Sequence, residues 1–535
     1  MSLFHRTGAR APATGRVLLS GAILAILAPA TLLASQEAQA AEPPKPSRAF
    51  GDTVLTDGND DVTNNKTVDL TEDVDFGDGS DALTNDSVIT IGAKATAPVH
   101  VSILSLDALK NKGLIDLRNG RGGDVLTLSG DYNGTGKARL GLDVGPDGVD
   151  RLIVGDVANG KTAVVLGGLS AQTAVLTGDK GPVLIQAAAG STADAFSIEN
   201  DEIGFIHYGL AFDAQAATYR LNGVAGRRAY DALKISEGAA NVWRQSADAW
   251  SAHVANLRDA GADAVGAGVW GQAHGGWQDR NDKVAASGRV VRTDYQQTSY
   301  GGQMGADLIN AEMDDERILI GVTGGYAAAR LRFDGVAQDV KLSAVNVGGY
   351  VALARGSYFL NALAKVDRQS IKVLGEADAV AADFDGTSYG AQIEAGSRSE
   401  GDGMAYEKLL SINYVSTRLD DMKAYAQRLD FDNATGFVAK VGLRGSMQGE
   451  LLGGALTSYG AAFVVHDFTV KSGLTLVSGD QKQHLSDDGG RTFGQITAGM
   501  SFRAAGAMIT FLEASGDFGG GRNGGTLRLG ARIGF

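Results

Sequence analysis

Hydrophobic and polar positions alternate to the very end of this chain. Leu527, Leu529, Ala531, Ile533 and Phe535 fall on one face, and Thr526, Arg528, Gly530, Arg532 and Gly534 on the other. A period of two is the signature of a strand with different surroundings on its two sides. The same alternation recurs from Val265 onward, in segments near 266–271, 299–304, 317–322, 344–350, 358–368, 389–395, 406–414, 438–444, 459–465, 495–502 and 508–518. With the last strand this makes about twelve, and sharing residues 265 to 535 among them leaves roughly 23 for each strand and turn. Two segments show the split best. Tyr358, Leu360, Ala362, Ala364 and Val366 oppose Asn361, Lys365 and Asp367, while Leu410, Ile412 and Tyr414 oppose Glu407, Ser411 and Asn413. A soluble sandwich would bury Lys365, Asp367, Glu407, Glu513, Arg528 and Arg532 in its core, at a large desolvation cost. A membrane barrel turns those positions toward a water-filled lumen and the apolar ones toward lipid, with Trp277, Tyr358, Tyr406 and Phe518 as girdle aromatics.

Between Tyr230 and Leu257 the period changes. Trp243, Ala247, Trp250, Val254 and Leu257 repeat at spacings of four and three, with Arg244, Gln245, Asp248, His253 and Asn256 on the other sides. This predicts an amphipathic helix. At 1.5 Å per residue it spans roughly 42 Å, more than the ~25 Å apolar band of an outer-membrane barrel, so it is long enough to pass through a pore. At the other end of the chain, His5, Arg6, Arg10 and Arg16 precede an apolar run over 17–34, and Ala38-Gln39-Ala40 has the small-x-small form of a signal-peptidase site. The expected export signal is therefore 1–40. No later stretch is apolar enough for a spanning helix, so membrane association is expected from strands.

Composition sharpens this. The 535 residues hold 75 glycines and only 8 prolines, a turn-rich rather than linker-rich balance. There is no cysteine, so no disulfide has to form in the periplasm before a second membrane crossing. A net charge of -14 argues against a nucleic-acid partner.

The ending Arg528-x-Gly530-x-x-Ile533-x-Phe535 resembles the C-terminal signal by which bacterial outer-membrane barrels are recognised for insertion. The order of signal, Gly-rich repetitive region, single helix and barrel resembles the monomeric autotransporters of type V secretion. Gly268-Val269-Trp270-Gly271-Gln272 is similar to their first barrel strand. The resemblance implies an all-β chain with a right-handed parallel β-helix passenger over 41–225. It further implies a pore-spanning helix over 226–262 and a twelve-stranded antiparallel transmembrane barrel over 263–535. It also implies a monomer in outer-membrane lipid that uses the Sec export and barrel-assembly machineries, with its passenger on the cell surface.

Within the passenger, Gly123 to Tyr132, Asp150 to Asp156 and Gly190 to Phe196 resemble the last rungs of pertactin-type passengers. Asp61 to Asn65, Asp81 to Asn85 and Asp107 to Asn111 share a form that aligns Asn65, Asn85 and Asn111 at spacings of 20 and 26, near one rung of a β-helix. An Asn ladder is expected there. Gly77-x-Gly79-x-Asp81 and Gly120-x-Gly122-x-Asp124 partly match a calcium-binding repeat, but they are not tandem, and turn glycines with a capping Asp are the expected reading. The passenger has only His100 and His207, and neither His-Glu-x-x-His nor Gly-x-Ser-x-Gly occurs. The expectation is a non-enzymatic passenger without metal or cofactor, an adhesin toward a surface ligand the sequence does not name; the alternative is a hydrolytic passenger. Self-cleaving relatives break at an Asn-Asn pair in the helix. Here Asn241 and Asn256 stand alone, so attachment is expected, with an exposed Arg227-Arg228 as a site for other proteases.

Overall fold

The computed structural model describes residues 45–286, 288–313, 316–335, 338–375, 380–487, 490–503 and 508–535. The expected export signal lies outside them.

Residues 61–199 wind into a three-faced parallel solenoid. The first face stacks Asp61–Asn64, Ala82–Asn85, Ala108–Asn111 and the start of Asp131–Gly145 in register. The second stacks Val68–Leu70, Val88–Ile91 and Leu114–Asp116 on the end of that long strand. The third stacks Val74–Asp75, His100–Leu104, Val125–Leu128, Arg151–Val154 and Val183–Gln186. Each short strand alternates inward and outward, so equivalent apolar side chains stack on one another: Val62, Leu83, Leu109, Tyr132 and Ala158 form one buried column. No single rung encloses its apolar residues; stacking does. The far end is closed by an antiparallel hairpin, Ile206–Asp213 with Thr218–Ala225, whose second strand pairs with Val183–Gln186.

The asparagine ladder forms, shifted by one residue from the expectation. Asn64, not Asn65, donates to Asn85 Oδ1 at 2.8 Å, and Asn85 donates to Asn111 Oδ1 at 2.9 Å. Asn111 then donates to Tyr132 OH at 3.0 Å, and Tyr132 OH meets Thr162 Oγ1 at 2.8 Å. The register pairs Asp61 with Ala82 rather than Asp81, and alternation from Val62 turns Asn64 inward and leaves Asn65 exposed.

A single helix, α1 (Arg227–Ala260), follows. Then come twelve antiparallel strands: β1 (Gly268–Arg280), β2 (Tyr295–Met313), β3 (Glu316–Phe333), β4 (Asp339–Arg355), β5 (Tyr358–Leu374), β6 (Val380–Gly401), β7 (Met404–Leu419), β8 (Ala434–Leu451), β9 (Gly454–Ser478), β10 (Arg491–Arg503), β11 (Met508–Phe518) and β12 (Arg522–Gly534). β12 pairs with both β11 and β1, with Gly268 opposite Gly534, so the sheet closes. The expected twelve segments are these twelve strands. Each carries a large exposed aliphatic side chain on its outer face, from Val269, Met304 and Val322 round to Ile496, Leu512 and Leu529. That is a lipid-facing belt.

At one end the strands join by short turns. Gly401 to Met404 and Leu451 to Gly454 enclose two residues with positive φ, including Leu452 at 50°, the turn geometry that matches strand twist. At the other end three connections are long, β1 to β2, β7 to β8 and β9 to β10, and they carry the hairpins Lys283–Ala286 with Arg289–Arg292 and Met422–Ala424 with Gln427–Phe431 and an extra strand, Gln481–Asp487. Short turns mark the periplasmic side of a barrel and long connections the outside.

Candidate functional site

Helix α1 has 34 residues, roughly 51 Å of rise, and runs through the closed barrel. Its first turn lies beside the loop at Gly335 on the long-loop side, and its last turn contacts Arg398 and Arg444 near the short turns. The predicted stripe of Trp243, Ala247, Trp250, Val254 and Leu257 comes together as one buried cluster. It packs on Trp270, Leu319, Tyr350, Leu363, Val415 and Ile509 from six strands of the wall. Trp243 donates through Nε1 to the Lys365 carbonyl at 3.3 Å, and the Lys365 ammonium lies 4.4 Å from the indole centroid. His253 stacks on Trp270 at 4.4 Å and places Nε2 3.0 Å from Asp307 Oδ1.

The lumen differs from the open water-filled channel the alternation predicts. Its charges are paired: Lys365 with Asp367 at 2.5 Å, Arg528 with Glu513 at 2.7 Å and Arg532 with Asp307 at 2.7 Å. The helix supplies further partners absent from the stripe. Asp259 meets Arg398 at 2.8 Å and also pairs with Arg444, while Arg258 grips Glu407 through two hydrogen bonds of 3.0 Å. Arg317 from β3 donates to the Gly261 and Leu257 carbonyls, a cation on the negative end of the helix dipole.

The N-terminal half of α1 was not legible as a stripe because it is buried on every side. From Ala229 to Val242 each residue is enclosed. Here the barrel wall is apolar: Leu331, Phe333, Val340, Leu342, Ile371 and Leu474 surround Leu233, Ile235 and Val242 in one core shared with the passenger. Lys234, fully buried, pairs with Asp282 at 2.5 Å and with Asp487, while Glu237 pairs with Arg280.

The helix begins without a side-chain cap of its own at Gly226. Glu202 of the passenger takes the Arg227 N–H at 3.0 Å instead, which serves the positive end of the dipole. Burial pushes this carboxyl up, but His207, the Arg227 N–H and Arg289 outweigh it and hold it below the usual range. The Arg227-Arg228 pair is therefore not the exposed segment expected: it forms the first turn of α1, half-buried, with Arg227 near Asp231 at 3.7 Å. Barrel-head side chains hold the passenger backbone nearby. Gln427 donates to the Ala174 carbonyl at 2.5 Å, Ser478 accepts from Leu176 at 3.2 Å, and Gln483 accepts from Ala225 at 2.7 Å.

Of the expected assembly signal, Arg528, Gly530 and Ile533 lie on β12 and Phe535 directly follows it. Ile533 and Phe535 face outward and are exposed, Arg528 points inward to Glu513, and Gly530 sits where a Cβ would be 2.3 Å from Phe511. Asp81 and Asp124, the carboxylates of the two partial calcium repeats, cap neighbouring rungs: Asp81 accepts from the Asp60 N–H and Asp124 from the Val99 N–H, both at 2.7 Å.

Residues 269–515 match the family model described as the autotransporter beta-domain. No curated protein matches the chain. Similar solved structures include the beta domain of the Bordetella autotransporter BrkA, at 18% identity and a TM-score of 0.41 over 50% of this chain and 100% of that one. The transport unit of AIDA-I from Escherichia coli gives 17% and 0.40 over 50% and 90%. The translocator domain of NalP from Neisseria meningitidis gives 13% and 0.39 over 54% and 96%.

Proposed function

We propose, from a chain whose C-terminal half is an autotransporter β-domain and which is thereby an outer-membrane autotransporter, that its product is a short non-enzymatic passenger held on the cell surface for adhesion. The observation that carries the reading is the direction of α1. The helix enters the barrel from the long-loop side, where residues 174–225 of the passenger are bonded to the barrel head. Inside the passenger, Asn64, Asn85 and Asn111 bond to one another and Asp81 and Asp124 accept backbone N–H groups, so these polar side chains serve the stacking of rungs. The outward strand positions, such as Asp61, Thr63, Lys110 and Asp131, are left as a polar face for a ligand. The barrel works as a monomer after Sec export, and the assembly machinery reads β12 through Ile533 and Phe535.

Protease treatment of intact cells tests the display. Epitopes in 46–225 should be lost while the barrel survives, and protection in intact cells with cleavage only after lysis would overturn the reading. Binding of cells to host-type surfaces, with and without the passenger, tests adhesion. Hydrolase activity in the purified full chain would favour an enzymatic passenger instead.

A further inference from the structure

The outer face of the barrel is not uniform at its long-loop end. On β3, β4 and β5 the register sets Arg330 opposite Lys341 and Lys341 opposite Lys372. These are outward positions, in step with the exposed Val322 of β3, Val345 and Val347 of β4 and Val366 of β5. Three cations therefore stand side by side on adjacent strands, with Cβ atoms about 5 Å apart, an arrangement that costs stability in a sheet. Carboxylates relieve only the flanks of the row. Asp339 pairs with Arg330 and lies 3.9 Å from Arg332, and Asp383 lies 3.5 Å from Lys372. Lys341, in the middle and exposed, has no acidic partner among the described residues.

Toward the middle of the membrane the same face changes in order. The next outward pair below the cations is Ser343 with Ser370. Below it Val345 stands beside Arg368, which is exposed and pairs with Asp385 at 2.8 Å. Val347 and Val366 come next, with Tyr326 of β3 and Tyr389 of β6 exposed on either side. Aliphatic surface of this kind meets acyl chains, and tyrosine rings settle at the level of the headgroups. The cations thus lie where the headgroups of the outer leaflet lie, because the long connections mark the outside. The row belongs to one sector of the barrel. On β1, β2, β11 and β12 the outward positions at this end are Trp277, Asp279, Gln296, Thr298, Phe518 and Asn523.

We infer that this sector is a binding surface for a phosphorylated, acylated lipid of the outer leaflet. A phosphate sits over Lys341, between Arg330 and Lys372, and the acyl chains run down over Val345, Val347 and Val366. The phosphate supplies the counter-charge that the row lacks, and Ser343 and Ser370 offer hydroxyl donors where headgroup meets chain. Position decides the class of lipid: an outward face at the extracellular end meets only the outer leaflet, which in a bacterial outer membrane is built of a phosphorylated glucosamine lipid. The inference is independent of what the passenger binds.

The test uses the purified full chain in neutral detergent, with bisphosphorylated lipid A as the probe and native mass spectrometry to read the bound lipid. The dephosphorylated lipid and inorganic phosphate are the comparison ligands. Lys341→Gln is expected to weaken lipid A binding about fivefold and Lys341→Gln with Lys372→Gln about twentyfold, at the ~1 kcal/mol that each cation near a lipid surface contributes. Arg355→Gln removes an equally exposed charge at the short-turn end and is expected to change nothing. Without lipid, Lys341→Gln should keep heat-modifiable migration up to at least the wild-type temperature, because it relieves the crowding of the row. Lipid A should raise that temperature for the wild type and not for the double variant. Four results would overturn the inference: equal binding of the dephosphorylated lipid, displacement of lipid A by inorganic phosphate, wild-type affinity in the folded double variant, or an equal loss in Arg355→Gln, which would mean that net charge alone is read.

Discussion

Asn85 shows what one buried side chain does in the solenoid. It accepts from Asn64 and donates to Asn111, and it has no exposed surface. Replacing it by Ala removes one partner from each neighbour, although Asn64 keeps Val88 O at 3.3 Å and Asn111 Oδ1 keeps the Gly113 N–H at 3.2 Å. The expected loss is about 2–4 kcal/mol of passenger stability, read as a lower urea midpoint for proteolysis of 46–225 in the purified chain. The ladder was legible from spacing, but its first member was not, because which of two adjacent asparagines points inward depends on strand register rather than composition. Asp150 gives a second prediction. It is fully buried and accepts from the Gly123, Asp124 and Asp143 N–H groups, yet burial, helped by the nearby carboxylates of Asp124 and Asp143, pushes it up to about 7. A raised folded value means that the folded state holds a proton the unfolded chain releases near pH 4. The stabilisation is therefore complete below that pH and is lost as pH rises through about 7, by up to about 4 kcal/mol. Hydrogen exchange in 119–150, corrected for the intrinsic pH effect, should show protection falling between pH 4 and 7; constant protection would contradict it.

At the scale of elements, α1 and β12 were read for different reasons and to different depths. The stripe from Trp243 to Leu257 was visible because half of that segment meets an apolar wall and half a polar one. The segment from Ala229 to Val242 is enclosed all round, so no face contrasts with another, and the partners that tolerate Lys234 and Glu237 there lie 43 to 253 residues away. The lower end of α1 is held by Asp259 between Arg398 and Arg444. Asp259→Asn leaves Arg398 and Arg444 to share Glu407, which Arg258 already holds, so the cost is below the ~3–5 kcal/mol of breaking an isolated buried pair. Expected outcome: normal barrel insertion but faster hydrogen exchange over 250–260. On β12, alternation alone placed Ile533 and Phe535 outward, and both are exposed on the lipid side. Changing both to Asp puts two charges on a lipid-facing strand that also closes the barrel against β1. The double variant should fail to accumulate in the outer membrane, and wild-type levels with heat-modifiable migration would refute the role assigned to this strand.

For the whole molecule, the order of solenoid, helix and barrel was legible because each part has its own period along the chain. The docking of passenger on barrel head was not, since Gln427 reaches Ala174 and Ser478 reaches Leu176 across 253 and 302 residues, with no local pattern to announce it. That docking decides the fate of the passenger. A free linker would present Arg227-Arg228 to any trypsin-like protease, whereas here the pair is the first turn of a helix. Its N–H is capped by Glu202, Arg289 binds both Glu202 and the Ala225 carbonyl, and the following residues disappear into the barrel. Cleavage requires an extended substrate, so this turn would have to unwind and the Glu202 contacts break before a protease could act. Brief trypsin treatment of intact cells should therefore cut exposed passenger loops first and leave the bonds after Arg227 and Arg228 intact. Mass spectrometry of the outer-membrane species is expected to show passenger residues still joined to the barrel. A barrel species beginning at Arg228 or Ala229 at the earliest time points would mean that the head is undocked on living cells.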